Sequence, residues 1–99
     1  MSREEIVEFN EEALMLPEKY DSAIIGVAER INLTVVAYDS AKLVELIAEE
    51  MSPDIEDVSM YGDIETAKYN MALEYYDYNI KGAWLGENTP VFITTTEFE

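Results

Sequence analysis

Two periods of apolar residues alternate along this chain, and each change of period marks an element. Over residues 3–16, Ile6, Val7, Phe9, Ala13, Leu14 and Leu16 stand among many glutamates at roughly helical spacing. Ser2 is placed to cap that helix. Leu16-Pro17 ends it with an extended exit, because a residue before proline is pushed out of the α region. Ala23-Ile24-Ile25-Gly26-Val27-Ala28 then reads as a buried strand. Leu33-Thr34-Val35-Val36-Ala37-Tyr38 reads as a second, rich in β-branched residues. The link over 29–32 is short enough for an antiparallel hairpin. Gly26 inside the first run signals a bulge or close packing.

Helical spacing returns after the hairpin. Asp39 or Ser40 caps a helix on which Leu43, Val44, Ile47, Ala48 and Met51 share one face, with Glu45, Glu49 and Glu50 turned outward. Ser52-Pro53-Asp54 is a fresh start signal: a capping serine, then proline at the first helical position. It predicts a short helical turn over 53–58. Gly62 breaks the chain and Asp63 caps the next helix. From 64 to 80 the period places Ile64, Ala67, Met71, Tyr75 and Tyr78 on a core face. Asp77 and Lys81 fall at i, i+4 as an ion pair. Gly82 and Gly86 end this helix, with Trp84 and Leu85 packed beneath it. Residues 90–96 read as the last strand. This order predicts a single α+β domain over 1–99. Its small antiparallel sheet has about three strands, and two to four helices pack on one face.

Charge narrows the function classes more than the pattern does. The 99 residues hold 22 Asp and Glu against 6 Lys and Arg, a formal net charge of −16. A body so charged repels phosphate backbones and anionic membrane surfaces, so neither nucleic acid nor membrane is an expected direct partner. With 48% hydrophobic residues the chain can still build a modest core. There is no cysteine and no histidine. That removes disulfides, thiol nucleophiles, the usual zinc ligands and the commonest general base. Met1-Ser2-Arg3-Glu4-Glu5 does not open a signal peptide, and no apolar run approaches the ~20 residues of a membrane span. The expected site of action is the cytoplasm.

Several segments together resemble a family of small proteins encoded by tailed bacteriophages and prophages. They are Leu16-Pro17-Glu18 with Tyr20-Asp21, Ala23-Ile24-Ile25-Gly26, and Val35-Val36-Ala37-Tyr38-Asp39 with Lys42. Glu74-Tyr75-Tyr76, Tyr78-Asn79 and the run from Gly82 through Trp84, Glu87 and Pro90 to Phe92 complete the pattern. It covers about residues 16–93, and the closing run is its most specific part. The stretch 52–63 is longer than the short turn of similar sequences. The resemblance implies a phage setting, hence a host-cell cytoplasm, and carries over no catalytic residue.

No constellation of side chains suits catalysis or a resident metal. Asp54, Glu56 and Asp57 lie ahead of Gly62. A calcium loop of the EF-hand kind fails there, because Val58 and Ser59 fill a ligand and the glycine position. No phosphate loop, nucleophile elbow or dinucleotide fingerprint is present. No enzyme, cofactor or metal is therefore expected.

Two surfaces remain for binding. Residues 43–67 carry eight acids and no base: Glu45, Glu49, Glu50, Asp54, Glu56, Asp57, Asp63 and Glu65. Carboxylates on one such face can stand in for phosphates in a basic nucleic-acid-binding groove. The second surface is aromatic. Tyr69 and Tyr76 point away from the expected core face, near Trp84, and aromatics dominate interface hot spots. The leading expectation is an acidic accessory protein that binds a basic surface of a host protein, as in anti-defence inhibition. The alternative is a homo-oligomer joined through the tyrosine-rich helix and Trp84.

Overall fold

The computed structural model describes residues 2–94. The chain divides into two compact units, Met1–Lys42 with Trp84–Glu99 and, between them in sequence, Leu43–Ala83.

The first unit is built around a hairpin. α1 (Arg3–Phe9) starts at a reciprocal cap: the Ser2 hydroxyl accepts the Glu5 N–H, and the Glu5 carboxylate accepts the Ser2 N–H, each at 3.2 Å. The helix stops sooner than the apolar spacing predicts. Asn10 takes extended backbone, and its side-chain amide donates to the Thr34 carbonyl and to Asn88 Oδ1, both at 2.8 Å. Those bonds replace what another helical turn would have supplied. A 3₁₀ helix (Glu18–Ala23) follows Pro17 and buries Tyr20 and Ala23. Arg3 ties α1 to this segment. Its guanidinium pairs with the Asp21 carboxylate at 2.8 Å and also donates to the Leu16 carbonyl.

β1 (Ile24–Arg30) and β2 (Leu33–Asp39) pair antiparallel, with Arg30 opposite Leu33. The strands are longer and the loop shorter than predicted, only Ile31 and Asn32. Asn32 has φ +62°, a left-handed position that asparagine tolerates better than most residues. The register shifts between Ile24 and Gly26, which is the bulge that Gly26 signalled.

β3 (Val91–Ile93) completes a sheet of order β1-β2-β3, and here the antiparallel expectation needs correction. β3 runs parallel to β2, so the sheet is mixed. Tight turns enforce antiparallel pairing, but a long helical connection separates β2 from β3 and lets the chain return in the same direction. Thr94 lies beyond the strand, and the predicted strand residues Thr95 and Thr96 lie outside the described residues.

β2 is the middle strand, which explains its unbroken apolar run: Val35, Val36, Ala37 and Tyr38 are all buried. Tyr38 is fully buried, its ring stacked near Phe92 with centroids 6.1 Å apart, while its hydroxyl accepts the Leu16 N–H at 2.8 Å. Burial raises the Tyr38 pKa above its ordinary value, against smaller opposing effects of the Leu16 N–H and of Arg3. Asp39 then caps α2 (Ser40–Glu49) by accepting the Lys42 N–H at 3.2 Å. Ser40 donates instead to the Ile93 carbonyl, at 3.1 Å, and so helps hold β3.

The second unit is helical. The remainder of α2 buries Leu43, Val44 and Ile47, as its spacing predicts. α3 (Ile55–Tyr61) starts later than expected, and its cap is Asp54 rather than Ser52. Asp54 and Asp57 accept each other's backbone N–H, at 2.8 and 3.1 Å, a reciprocal cap that Ser52 cannot form because Ile55 stands three residues on. Gly62 ends α3 at φ +96°, where a β-carbon would be strained. Asp63 caps α4 (Ile64–Tyr76), which continues as a π turn (Asp77–Lys81).

The buried side of α4 differs from the predicted one. Ala67 is buried, but the other buried positions are Ala72, Tyr76 and Ile80, while Ile64, Tyr75 and Tyr78 are exposed. Apolar and aromatic residues occur all round this helix, so the i, i+4 set 72/76/80 fits the helical period as well as the set expected. Asp77 and Lys81, both exposed at the ends of the π turn, form no ion pair.

Candidate partner-binding surfaces

Within the second unit, two helices present matching i, i+3, i+4 sets. Glu45, Ala48 and Glu49 come from α2, and Glu65, Lys68 and Tyr69 from α4. Together they line a cleft of about 290 Å³. Leu43, Val44 and Ile47 on α2, and Ala67 on α4, are buried, which leaves these flanking positions at the surface. Three glutamates and Lys68 thus share the lining of one cleft with Tyr69, which is half exposed. Such an arrangement can receive a guanidinium or ammonium group. The carboxylates accept its hydrogen bonds, and the tyrosine ring offers a face to the cation.

Four of the ten residues selected from the sequence therefore meet in one place: Glu45, Glu49, Glu65 and Tyr69. Glu50, Asp54, Glu56 and Asp63 are exposed but do not line the cleft, and Asp57 is half-buried. Asp54, Asp57 and Asp63 serve as helix caps. The Asp63 carboxylate accepts the Thr66 N–H at 2.8 Å and the Thr66 hydroxyl at 3.0 Å. Those bonds, the N–H first, hold its pKa below the ordinary carboxylate range. Tyr76 requires correction as an interface anchor, since it is buried among the core positions of α4. The base-free run also ends at the cleft, where Lys68 is one of the lining residues.

A second surface lies at the closed end of the hairpin in the first unit. Glu29, Arg30, Ile31, Leu33, Trp84 and Glu87 line a cleft of about 440 Å³. Trp84 and Leu85, expected to pack beneath a helix end, are instead exposed, at 67% and 70%. The Arg30 guanidinium lies 5.1 Å from the Trp84 ring centroid and donates to the Glu87 carbonyl at 3.1 Å. The segment that carries Trp84 is fastened behind it. The Thr89 hydroxyl accepts the Leu85 N–H at 2.9 Å and donates to the Gly86 carbonyl at 2.7 Å. One signal in the sequence marked this surface: Ile31 is apolar at a hairpin-loop position, where polar residues are the rule.

Among the described residues, no group of three carboxylates is placed to hold a metal ion, and no helix is long and apolar enough to cross a membrane. No family model matches the chain, and neither a curated protein nor a solved structure matches it.

Proposed function

We propose that this protein is a non-enzymatic binding protein whose acidic cleft engages a basic surface on a host protein. The presence of Glu45, Glu49 and Glu65 in the lining of one cleft with Tyr69 carries this reading. Scattered carboxylates only solubilise a protein. Carboxylates gathered around a cleft with an open aromatic ring match an arginine- or lysine-rich site. In that role they occupy the positions of phosphates, and the protein acts as a nucleic-acid mimic. The net charge of −16 speeds the approach of a basic partner by long-range attraction. In the phage setting that the sequence resemblance implies, such an inhibitor serves anti-defence work within a host cell.

Affinity capture from a bacterial lysate at low and high salt tests this, with the wild type compared with a Glu45→Gln, Glu49→Gln, Glu65→Gln variant. The expected result is one basic, nucleic-acid-binding protein, released by salt and lost with the variant. Capture of the same proteins by both forms contradicts the reading.

Self-association through the tyrosine-rich helix is the second reading. The exposure of Tyr69, Tyr75 and Tyr78 favours it, and the burial of Tyr76 removes one of its anchors. A sedimentation equilibrium series distinguishes it from the first reading, because self-association gives a mass that rises with protein concentration.

A further inference from the structure

The hairpin-end cleft lies apart in sequence from the acidic helices, and its composition differs. Ile31 is 90% exposed at the apex of the loop. No packing requirement puts it there, since it touches no core, and the loop geometry asks only for a left-handed residue at Asn32. Beside it stand Leu33 and the indole of Trp84. The guanidinium of Arg30 covers part of the indole and is itself bound to the Glu87 carbonyl. Arg30 thereby holds the ring in place. Most of the indole surface stays open to solvent. Tryptophan and arginine are the residues most enriched at interface hot spots. The remaining polar lining comes from two acidic residues, Glu29 and Glu87. A second, more polar cleft of about 410 Å³ shares Glu29, Arg30 and Leu33 and adds the exposed ring of Phe9. An extended segment can therefore lie across the hairpin end with apolar contacts on both sides.

We infer that this hairpin end is a docking surface for a segment of a partner protein in which an apolar side chain is flanked by lysine or arginine. The apolar side chain enters between Ile31, Leu33 and Trp84, and the flanking cations meet Glu29 and Glu87. Charge complementarity selects this occupant. A second copy would bring two bodies of −16 together at a site already rimmed by carboxylates, and an acidic segment meets the same repulsion.

Trp84 is the only tryptophan, so its fluorescence reports directly on the site. Three synthetic peptides of equal length serve as probes: a lysine–leucine peptide, its lysine–serine counterpart and its glutamate–leucine counterpart. The lysine–leucine peptide is expected to shift Trp84 emission to the blue, saturably, and to bind at least about tenfold more tightly than the other two. Ile31→Ser is expected to lose about tenfold in affinity for it. Because Ile31 is exposed, that variant keeps the wild-type circular dichroism spectrum. The Glu45→Gln, Glu49→Gln, Glu65→Gln variant is expected to retain the response, so this site stands or fails separately from the acidic cleft. The inference is overturned by an absent response to the lysine–leucine peptide, by equal binding of either counterpart, or by unchanged affinity in Ile31→Ser. A concentration-dependent dimer that Ile31→Ser abolishes also overturns it, since the occupant is then a second copy.

Discussion

The two units carry equal charge and use it differently. Leu43–Ala83 holds ten acids and two bases, and the rest of the chain holds twelve and four, so each unit has a formal charge of −8. In the hairpin unit, cations work inside the fold. Arg3 joins α1 to Asp21 and the Leu16 carbonyl, and Arg30 holds Trp84 and the Glu87 carbonyl. In the helical unit, three acids cap helices, while Glu45, Glu49 and Glu65 gather around a cleft. Net charge therefore says little about function until its placement is known. The same −8 includes three glutamates that line one cleft in the helical unit and two, Glu29 and Glu87, that line another in the hairpin unit.

Substitutions in the hairpin unit should be felt first in stability. Tyr38→Ala has the largest expected effect, a loss of about 3–5 kcal/mol in chemical denaturation, because it empties a fully buried site beside Phe92. Tyr38→Phe keeps the ring and strands the Leu16 N–H, for a loss of about 1–2 kcal/mol. Because the folded Tyr38 pKa is raised, the Tyr38 contribution is fully present below the ordinary tyrosine value and falls as pH rises above it. The difference between wild type and Tyr38→Phe should narrow in that alkaline range.

Arg3→Ala should cost about 1 kcal/mol, a modest figure because the ion pair is partly exposed and solvent screens it. The matching change in the helical unit, Lys68→Gln, should leave stability within about 0.5 kcal/mol. It should tighten binding of an arginine-rich peptide instead, by removing the one cation from the lining of the acidic cleft. Should Lys68→Gln destabilise as much as Arg3→Ala does, the contrast between the units breaks.

The smallest expected effect is at Asp63. Asp63→Asn keeps a capping side chain and removes the charge. The folded carboxyl pKa lies below its ordinary value, so the charge stabilises the fold above the ordinary carboxylate range. That advantage disappears as pH falls through the folded value. Thermal melts of both forms across the acidic range should therefore converge at low pH.

Local signals in the sequence carried most of the architecture. The hairpin, the Ser2 and Asp63 caps, the Gly26 bulge, the Gly62 break and the buried face of α2 were all legible, because each depends on residues near one another in the chain. The direction of β3 was not, since a strand returning after a long connection has no turn chemistry to fix its sense. Nor was the buried side of α4, where apolar residues on every side gave two equally periodic choices and Tyr76 fell on the one not taken. The acidic cleft was half legible. The eight acids stood out as a run, but which three would line one cleft depends on where α2 and α4 lie in the folded unit. The hairpin-end surface was hardest to see, because Arg30 and Trp84 are distant in sequence and only the apolar Ile31 in a loop hinted at it.

Placement of charge, rather than its total, is tested by two variants of equal net charge. One carries Glu45→Gln, Glu49→Gln and Glu65→Gln in the cleft, and the other carries Glu4→Gln, Glu8→Gln and Glu12→Gln at exposed positions near α1. Each is titrated with one arginine-rich peptide over a series of salt concentrations. The cleft variant should bind about tenfold more weakly than the wild type at low salt, with a shallower dependence on salt, while the α1 variant stays within about twofold of the wild type. Equal weakening in the two variants would contradict a localised acidic site and leave only the total charge to explain binding.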